Sequence, residues 1–327
     1  MDEFERIDAM IAPLARGHAG TFDLTNDAAV LAPTPGNEIV LTKDMMALGV
    51  HFLPDDPPEL VARKLLRTNL SDLAAMGARA RGYLLGLAID GDRDEAWLGG
   101  FFAGLAQDQE IYEVVLLGGD TIVARQGVLT LSLTAIGEMP AGTALTRSGA
   151  RPGDIIAVSG TIGDGALGLL VRQGKLHPES DDDRDFLEDR YRLPQPRMAL
   201  GAGLVGLASA ALDISDGLIA DAGHLARRSG LRIALEWPRV PLSPAAGRVL
   251  QGDAALRSTV VGGGDDYELL FTLAEEHWAE LQDVAAACGT SVTRIGRCLA
   301  GQGVSILDTA GADFAPAKGG WRHGHNG

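Results

Sequence analysis

Between Pro57 and Gly77 the apolar positions Val61, Leu65, Leu66, Leu70, Leu73 and Met76 recur every three to four residues, which predicts a helix with one buried face. Proline opens that stretch and glycine closes it, as their backbone chemistry favours. A shorter amphipathic helix is expected over 3–16 from Phe4, Ile7, Ile11 and Leu14, and another over 95–107. Apolar runs bounded by glycine, proline and polar residues predict strands at 28–32, 38–42, 83–89, 114–117 and 128–136. Helices layered on a mixed, largely antiparallel sheet accommodate that order, so this part of the chain reads as α+β. Gly-Glu-Met-Pro-Ala-Gly at 137–142 marks a boundary, giving segments 1–137 and 138–327. Beyond it, strands are expected at 155–158, 231–235, 269–273, 292–295 and 304–307. Helices are expected at 164–171, 181–190, 199–208, 218–228 and 275–287.

The 327 residues are 46% hydrophobic and 22% charged, enough for a substantial core. No apolar run approaches the ~18 residues that a membrane span needs. The start, Met-Asp-Glu-Phe-Glu-Arg, has none of the basic and apolar character of a secretion signal, so a cytoplasmic protein with no membrane partner is expected. Cys288 and Cys298 are not spaced for a metal site, and two cysteines make no disulfide framework. The net charge of −16 argues against a nucleic-acid partner, which needs a basic surface. A chain this acidic can hold phosphorylated molecules only where cations neutralise the repulsion locally.

The aspartates fall in a pattern. Asp44 ends Ile-Val-Leu-Thr-Lys, Asp120 follows Val-Val-Leu-Leu-Gly-Gly, and Asp213 and Asp216 sit in Leu-Asp-Ile-Ser-Asp-Gly. Asp265 and Asp266 follow three glycines, Asp27 precedes a predicted strand, and Asp72 lies in Asn-Leu-Ser-Asp-Leu. Any one of them alone reads sooner as a helix cap or turn former. Gathered at strand ends they would repel one another, and divalent cations with oxygen ligands remove that cost, so the set points to magnesium and phosphate. The glycines beside Asp120 and Asp265 would let backbone amides approach an anion, or simply make turns.

Other nucleotide and catalytic signatures are weak or missing. There is no G-x-x-x-x-G-K-[ST] loop, no G-x-S-x-G elbow and no H-E-x-x-H pair. Gly201 to Gly206 fits G-x-G-x-x-G, but it follows a proline-marked helix start and reads as a glycine-tolerant buried helix. Residues 159–165 form a glycine-containing loop before a predicted helix and suit an anion at a helix N-terminus.

Taken together, the segments Gly49-Val50-His51-Phe52, Asn69 to Gly77, Leu117-Gly118-Gly119-Asp120-Thr121, Leu145 to Gly149, Asp213 to Leu218 and Gly263 to Leu269 resemble the thiamine-monophosphate kinases. These belong to a superfamily with aminoimidazole ribonucleotide synthetase and selenophosphate synthetase. The resemblance implies an N-terminal ATP- and metal-binding domain that pairs with its copy in a homodimer, and a C-terminal α/β sandwich domain that completes the active-site cleft. It implies ATP-dependent phosphorylation of thiamine phosphate to thiamine diphosphate by direct in-line transfer. Magnesium ions would be held by Asp27, Thr42, Asp44, Asp72, Asp120, Asp213 and Asp216. ATP would meet Tyr112, Gly119, Asp120, Arg147 and Ser215, and thiamine phosphate would meet His51, Asp265 and Trp321. Asp44, Asp72, Asp120, Arg147 and Asp213 would carry catalysis.

The sequence departs from the family pattern at Asn26, at Lys43, at Leu48 and at Asp265, which replaces a glutamate. If Lys43 points inward, its ammonium would take part of one magnesium's role; the other possibility is a surface lysine. Two further functions remain compatible with the sequence, another ATP-dependent synthetase of the superfamily and a non-catalytic nucleotide-binding dimer.

Overall fold

The computed structural model describes residues 7–90, 93–125 and 127–315. They divide into two compact units, 1–73 with 78–142, and 74–77 with 143–327.

The first unit is built on β1 (Asn37–Ala47), α1 (Pro58–Ala75), β2 (Arg79–Asp90), α2 (Glu95–Tyr112), β3 (Val115–Ala124) and β4 (Thr130–Pro140). The strands form a mixed sheet in the order β1-β4-β2-β3, antiparallel except for the parallel pair β2/β3. Register sorts the side chains by face. Thr42 and Asp44 pair with Ala135 and Leu133, which pair in turn with Tyr83 and Leu85. Leu131, Leu133, Tyr83 and Leu85 are buried, as are Leu65, Leu66, Leu70 and Leu73 of α1. The opposite face carries Ile39, Leu41, Lys43 and Met45 of β1, then Leu84 of β2 and Ile122 of β3. Its apolar members stand open to solvent, Leu41 by 65%, Met45 by 52% and Ile122 by 55%.

Two expectations fail here. The helix expected over 3–16 is, within its described part, a wide helical turn at Ile7–Ile11 and a 3₁₀ turn at Ala12–Leu14. Pro13 has no N–H to continue an α-helical ladder. Residues 28–32 form no strand and join no sheet. Pro33 and Pro35 lack donors, and the segment is tied down by Val30 N–H to the Gly20 carbonyl at 2.8 Å and by Thr34 to Glu138.

Glu138 is 5% exposed, accepts from the Thr34 amide (3.0 Å) and hydroxyl (2.7 Å), and pairs with Arg81 at 2.6 Å. Burial alone would raise its carboxyl, but the Thr34 hydrogen bonds and the Arg81 guanidinium outweigh burial and hold it at about 2. A carboxyl held below its unfolded value of 4.5 adds stability above that pH, which is lost as pH falls through the folded value. Glu138→Gln is therefore expected to cost about 1–3 kcal/mol near neutrality. In urea melts the gap to the parent should close as pH drops from 4.5 towards 2; a gap that stays constant would refute this account.

The second unit contains β5 (Ile155–Ser159), α3 (Asp164–Arg172), α4 (Asp181–Arg192), α5 (Met198–Gly203), β6 (Ala208–Asp213) and α6 (Leu218–Ser229). It continues with β7 (Arg232–Glu236), α7 (Pro244–Gly252), α8 (Arg257–Gly262), β8 (Leu269–Leu273), α9 (Trp278–Ala287), β9 (Val292–Leu299) and β10 (Gly303–Leu307). The six strands run in the order β10-β7-β9-β5-β8-β6, all antiparallel neighbours except β10 and β7. Both faces are covered. Ile156 and Val158 of β5 join a core with Leu167, Leu187, Leu218, Leu225 and Val260, whereas Ile155 and Ala157 join one with Leu200, Phe271, Leu281 and Ala285. That is an α/β sandwich, and it explains why β5 reads as an unbroken apolar run. No helix among the described residues is long and apolar enough to cross a membrane.

Candidate active site

In the first unit, α1 lies against the edge strand β1 through one polar stripe. Residues three and four positions apart share a helix face, so Asn69 and Thr68 each stand beside Asp72 and meet β1. The Thr42 hydroxyl donates to Asp72 Oδ2 at 2.5 Å, and the Asp44 amide donates to Asn69 Oδ1 at 3.0 Å. Burial first and the nearby Asp72 carboxylate second, partly opposed by a hydrogen bond with Thr68, together hold the Asp44 carboxyl up at about 6. His51 closes the following turn, its Nδ1 accepting from the Ala47 amide at 3.1 Å.

Asp27 and Asp120 lie in a different group. Both line a cavity of about 330 Å³ with Asn26, Leu85, Leu87 and Gly119. Gly-Gly-Asp does not terminate a strand as expected; β3 runs on through it, with a bulge where Leu84 pairs with Gly118. A side chain at Gly119 would sit 2.0 Å from the Leu85 carbonyl oxygen, so the strand passes only because glycine is there. By register Asp120 belongs to the face opposite Thr42 and Asp44, on the other edge strand, so this unit does not itself gather all its predicted cation ligands. Tyr112 ends α2 with the Arg67 guanidinium 5.5 Å from its ring centroid, and it does not line that cavity.

The second unit brings those of its predicted residues that are described onto adjoining segments. Asp213, buried at the end of β6, leads into a segment that runs beside the glycine-rich loop before β8. Ile214 N–H donates to the Glu268 carbonyl (2.8 Å), Tyr267 N–H to that of Ile214 (2.8 Å), and Asp265 N–H to that of Ser215 (3.1 Å). Glycine is required at 264, where a Cβ would stand 2.2 Å from the Ser215 carbonyl oxygen. Thr146 accepts from the Ala211 amide at 2.9 Å, which sets Arg147 beside β6, and its guanidinium acts electrostatically on Asp221. Asp221 accepts from the Asp216 amide at 3.0 Å, and one ligand atom each of Asp216, Asp221 and His224 lie within 4.8 Å of one another. Burial and nearby arginines lower the His224 pKa, which favours the neutral ring. Trp321, like His323 and His325, lies outside the described residues.

Clustered carboxylates and a hydroxyl are the oxygen donors that a hard cation such as magnesium takes, so the residues present fit that ion.

The chain matches the AIR synthase related protein N-terminal domain over residues 25–139 and the C-terminal domain over 151–308. It is 44% identical over 326 residues to the thiamine-monophosphate kinase of Caulobacter vibrioides, covering 98% of this chain and 91% of that one. The chain belongs to the thiamine-monophosphate kinase family. The crystal structure of the thiamine-monophosphate kinase from Stenotrophomonas maltophilia superposes with a TM-score of 0.82 at 39% identity, covering 92% of this chain and 94% of that one. AaThiL complexed with AMPPCP and TMP superposes with a TM-score of 0.78 at 30% identity, covering 98% and 96%.

Against this family background the lysine at 43 is a surface substitution. Lys43 is exposed and alternates to the face opposite Thr42 and Asp44, pairing with Thr134. Its ammonium does not stand in for a cation beside them. Lys43→Thr should leave the magnesium titration of turnover unchanged, and a shifted half-saturation point would restore the inward reading.

Several residues of the site were not singled out in the sequence. Thr68 and Asn69 carry a usable signal, their helical spacing from Asp72, and Asp221 and His224 stand three apart on α6. Asp266, grouped in the sequence with the cation candidates, is instead fully engaged by the Gly163 and Gly165 amides. The anion expected at the 159–165 loop is thus the chain's own carboxylate.

Proposed function

We propose that the chain transfers the terminal phosphoryl group of ATP to thiamine phosphate, giving thiamine diphosphate and ADP in the cytoplasm, with magnesium as the resident cation. The observation that carries this reading is the pairing of the Asp213–Asp216 segment with the Gly264–Glu268 loop beside Arg147. In that unit Asp213 and Asp216 hold cation, Arg147 and Ser215 take the nucleotide, and Asp265 faces the acceptor. In the first unit Thr42, Asp44 and Asp72 hold cation, and so do Asp27 and Asp120 of the other group; Gly119, Asp120 and Tyr112 contact the nucleotide, and His51 faces thiamine phosphate.

The chemistry asks little of a general base. A phosphate monoester with a second pKa of about 6 already presents a nucleophilic oxygen near neutrality. The barrier lies in bringing two polyanions into line, so positioning and charge neutralisation dominate. Magnesium, when bound, supplies that neutralisation; the carboxylates fix where it sits, and Arg147 adds a fixed positive charge.

The homodimer belongs to the same reading. A sheet face carrying Ile39, Leu41, Met45, Leu84 and Ile122 in the open suits a second copy of itself. The deciding assay incubates the purified chain with ATP, magnesium and thiamine phosphate, with free thiamine and no-acceptor controls. Equal amounts of ADP and thiamine diphosphate are expected; ADP release independent of acceptor, or none at all, would exclude this function.

A further inference from the structure

The loop entering β8 holds two residues with side chains in the left-handed region, Asp265 (φ +71°) and Tyr267 (φ +50°). An aspartate tolerates that conformation, but a bulky residue such as Tyr267 is held there by its surroundings. Between them Asp266, 1% exposed, turns both carboxylate oxygens onto the start of α3, Oδ2 accepting from Gly163 N–H at 2.8 Å and Oδ1 from Gly165 N–H at 3.1 Å. The first amides of a helix have no partner within it, and they carry its positive dipole end. A carboxylate there is at once a cap for α3 and an anchor for the loop.

The contact is also steric. A Cβ at Gly165 would lie 2.3 Å from the Asp265 carbonyl oxygen, and one at Gly264 would lie 2.2 Å from that of Ser215. The loop is therefore pressed between α3 on one side and the Ile214–Ser215 backbone on the other. Asp265 N–H to the Ser215 carbonyl, at 3.1 Å, joins the acceptor contact to the nucleotide contact directly. With both oxygens occupied by backbone amides, Asp266 is not disposed as a cation ligand.

We infer that Asp266 is a positioning residue, clamping the strained 264–267 loop to α3 so that Ser215 and Asp265 stand in one fixed relation before either substrate arrives. The inference rests on the reading of Ser215 and Asp265 given above.

Asp266→Asn tests it. The substitution exchanges one oxygen for an NH₂ that faces an N–H, so one of the two anchors is lost while the volume is kept. KM for thiamine phosphate and for ATP should each rise about tenfold or more, because misplacement of positioning groups is what such a loss produces. As a control, Ser243→Ala removes a 2.6 Å hydrogen bond to the neighbouring buried Asp164 and should leave both constants unchanged. A folded Asp266→Asn protein with parental KM values overturns the proposal.

Amide exchange on the parent chain without ligands gives a second test that needs no variant. The Gly163, Gly165, Asp265 and Tyr267 amides should be as protected as those of β8; open-loop exchange rates that slow only when substrates are added would overturn preorganisation. Asp265→Ala separates the two levels. If it raises KM for thiamine phosphate and Asp266→Asn does not, the clamp alone fails. If Asp265→Ala is silent, the assignment of the site fails with it.

Discussion

Asp72→Asn is expected to lower kcat by about 10²–10³-fold at saturating ATP and thiamine phosphate, the scale of removing one group that stabilises charge in the transition state. The substitution is close to isosteric. An asparagine at 72 still offers an oxygen to the Thr42 hydroxyl, which now reaches Asp72 at 2.5 Å, so the join between α1 and β1 survives. What is lost is a negative charge beside Asp44. Asp44 should then give up its proton more readily than at present, because one of the causes that hold its carboxyl at about 6 is Asp72 itself, although burial, the larger cause, remains. At pH 8 Asp44 is ionised in both proteins, so a rate loss measured there reports the cation site and not a change in Asp44 protonation. The magnesium concentration for half-maximal rate should rise in parallel. A variant with kcat within threefold of the parent and an unchanged magnesium titration would remove Asp72 from the site.

Those elements whose local signals agree were legible in the sequence. The helix at Pro58–Ala75 has its caps and its period, and β5 its apolar run. Where local and tertiary forces compete, the sequence misled. The expected strand 114–117 stops at Gly118 because glycine weakens strand propensity, yet β3 continues to Ala124 since only glycine fits against the Leu85 backbone. The 199–208 segment reads as one helix, but α5 ends at Gly203 and Ala208 begins β6, a strand of alanine and serine that owes its place to pairing with β8. The aspartates were legible as a set and not as individuals. Asp266 has the same local surroundings in sequence as Asp265, and only the position of α3 makes it an anchor and not a cation ligand. Asn69, by contrast, lies inside a motif already noticed, but its role in accepting from the Asp44 amide needs the edge strand beside it.

The largest effect on stability is expected at Glu268, whose side chain is wholly buried between two arginines. Arg190 reaches Oε1 at 3.0 Å, Arg197 spans both oxygens at 2.5 and 2.6 Å, and the Ser159 hydroxyl donates to Oε2 at 2.6 Å. Gly160 passes so close that a Cβ would lie 2.1 Å from Oε1. Glu268→Ala leaves the largely buried Arg190 without this partner, and breaking a buried pair in that way costs about 3–5 kcal/mol. For a unit of this size that lowers the melting temperature by on the order of 10 °C. The loss would come from an uncompensated charge more than from the absence of an attraction, since the pair itself is opposed by the desolvation of its members. The triple variant Arg190→Met, Arg197→Met, Glu268→Leu separates the two. It removes every charge of the network and keeps its volume, while the Ser159 hydroxyl still accepts from the Leu269 amide at 2.8 Å. It should recover most of the stability lost in Glu268→Ala. If differential scanning calorimetry instead finds the triple variant as unstable as the single one, the network contributes through its own hydrogen bonds, and unpaired charge is not the cause.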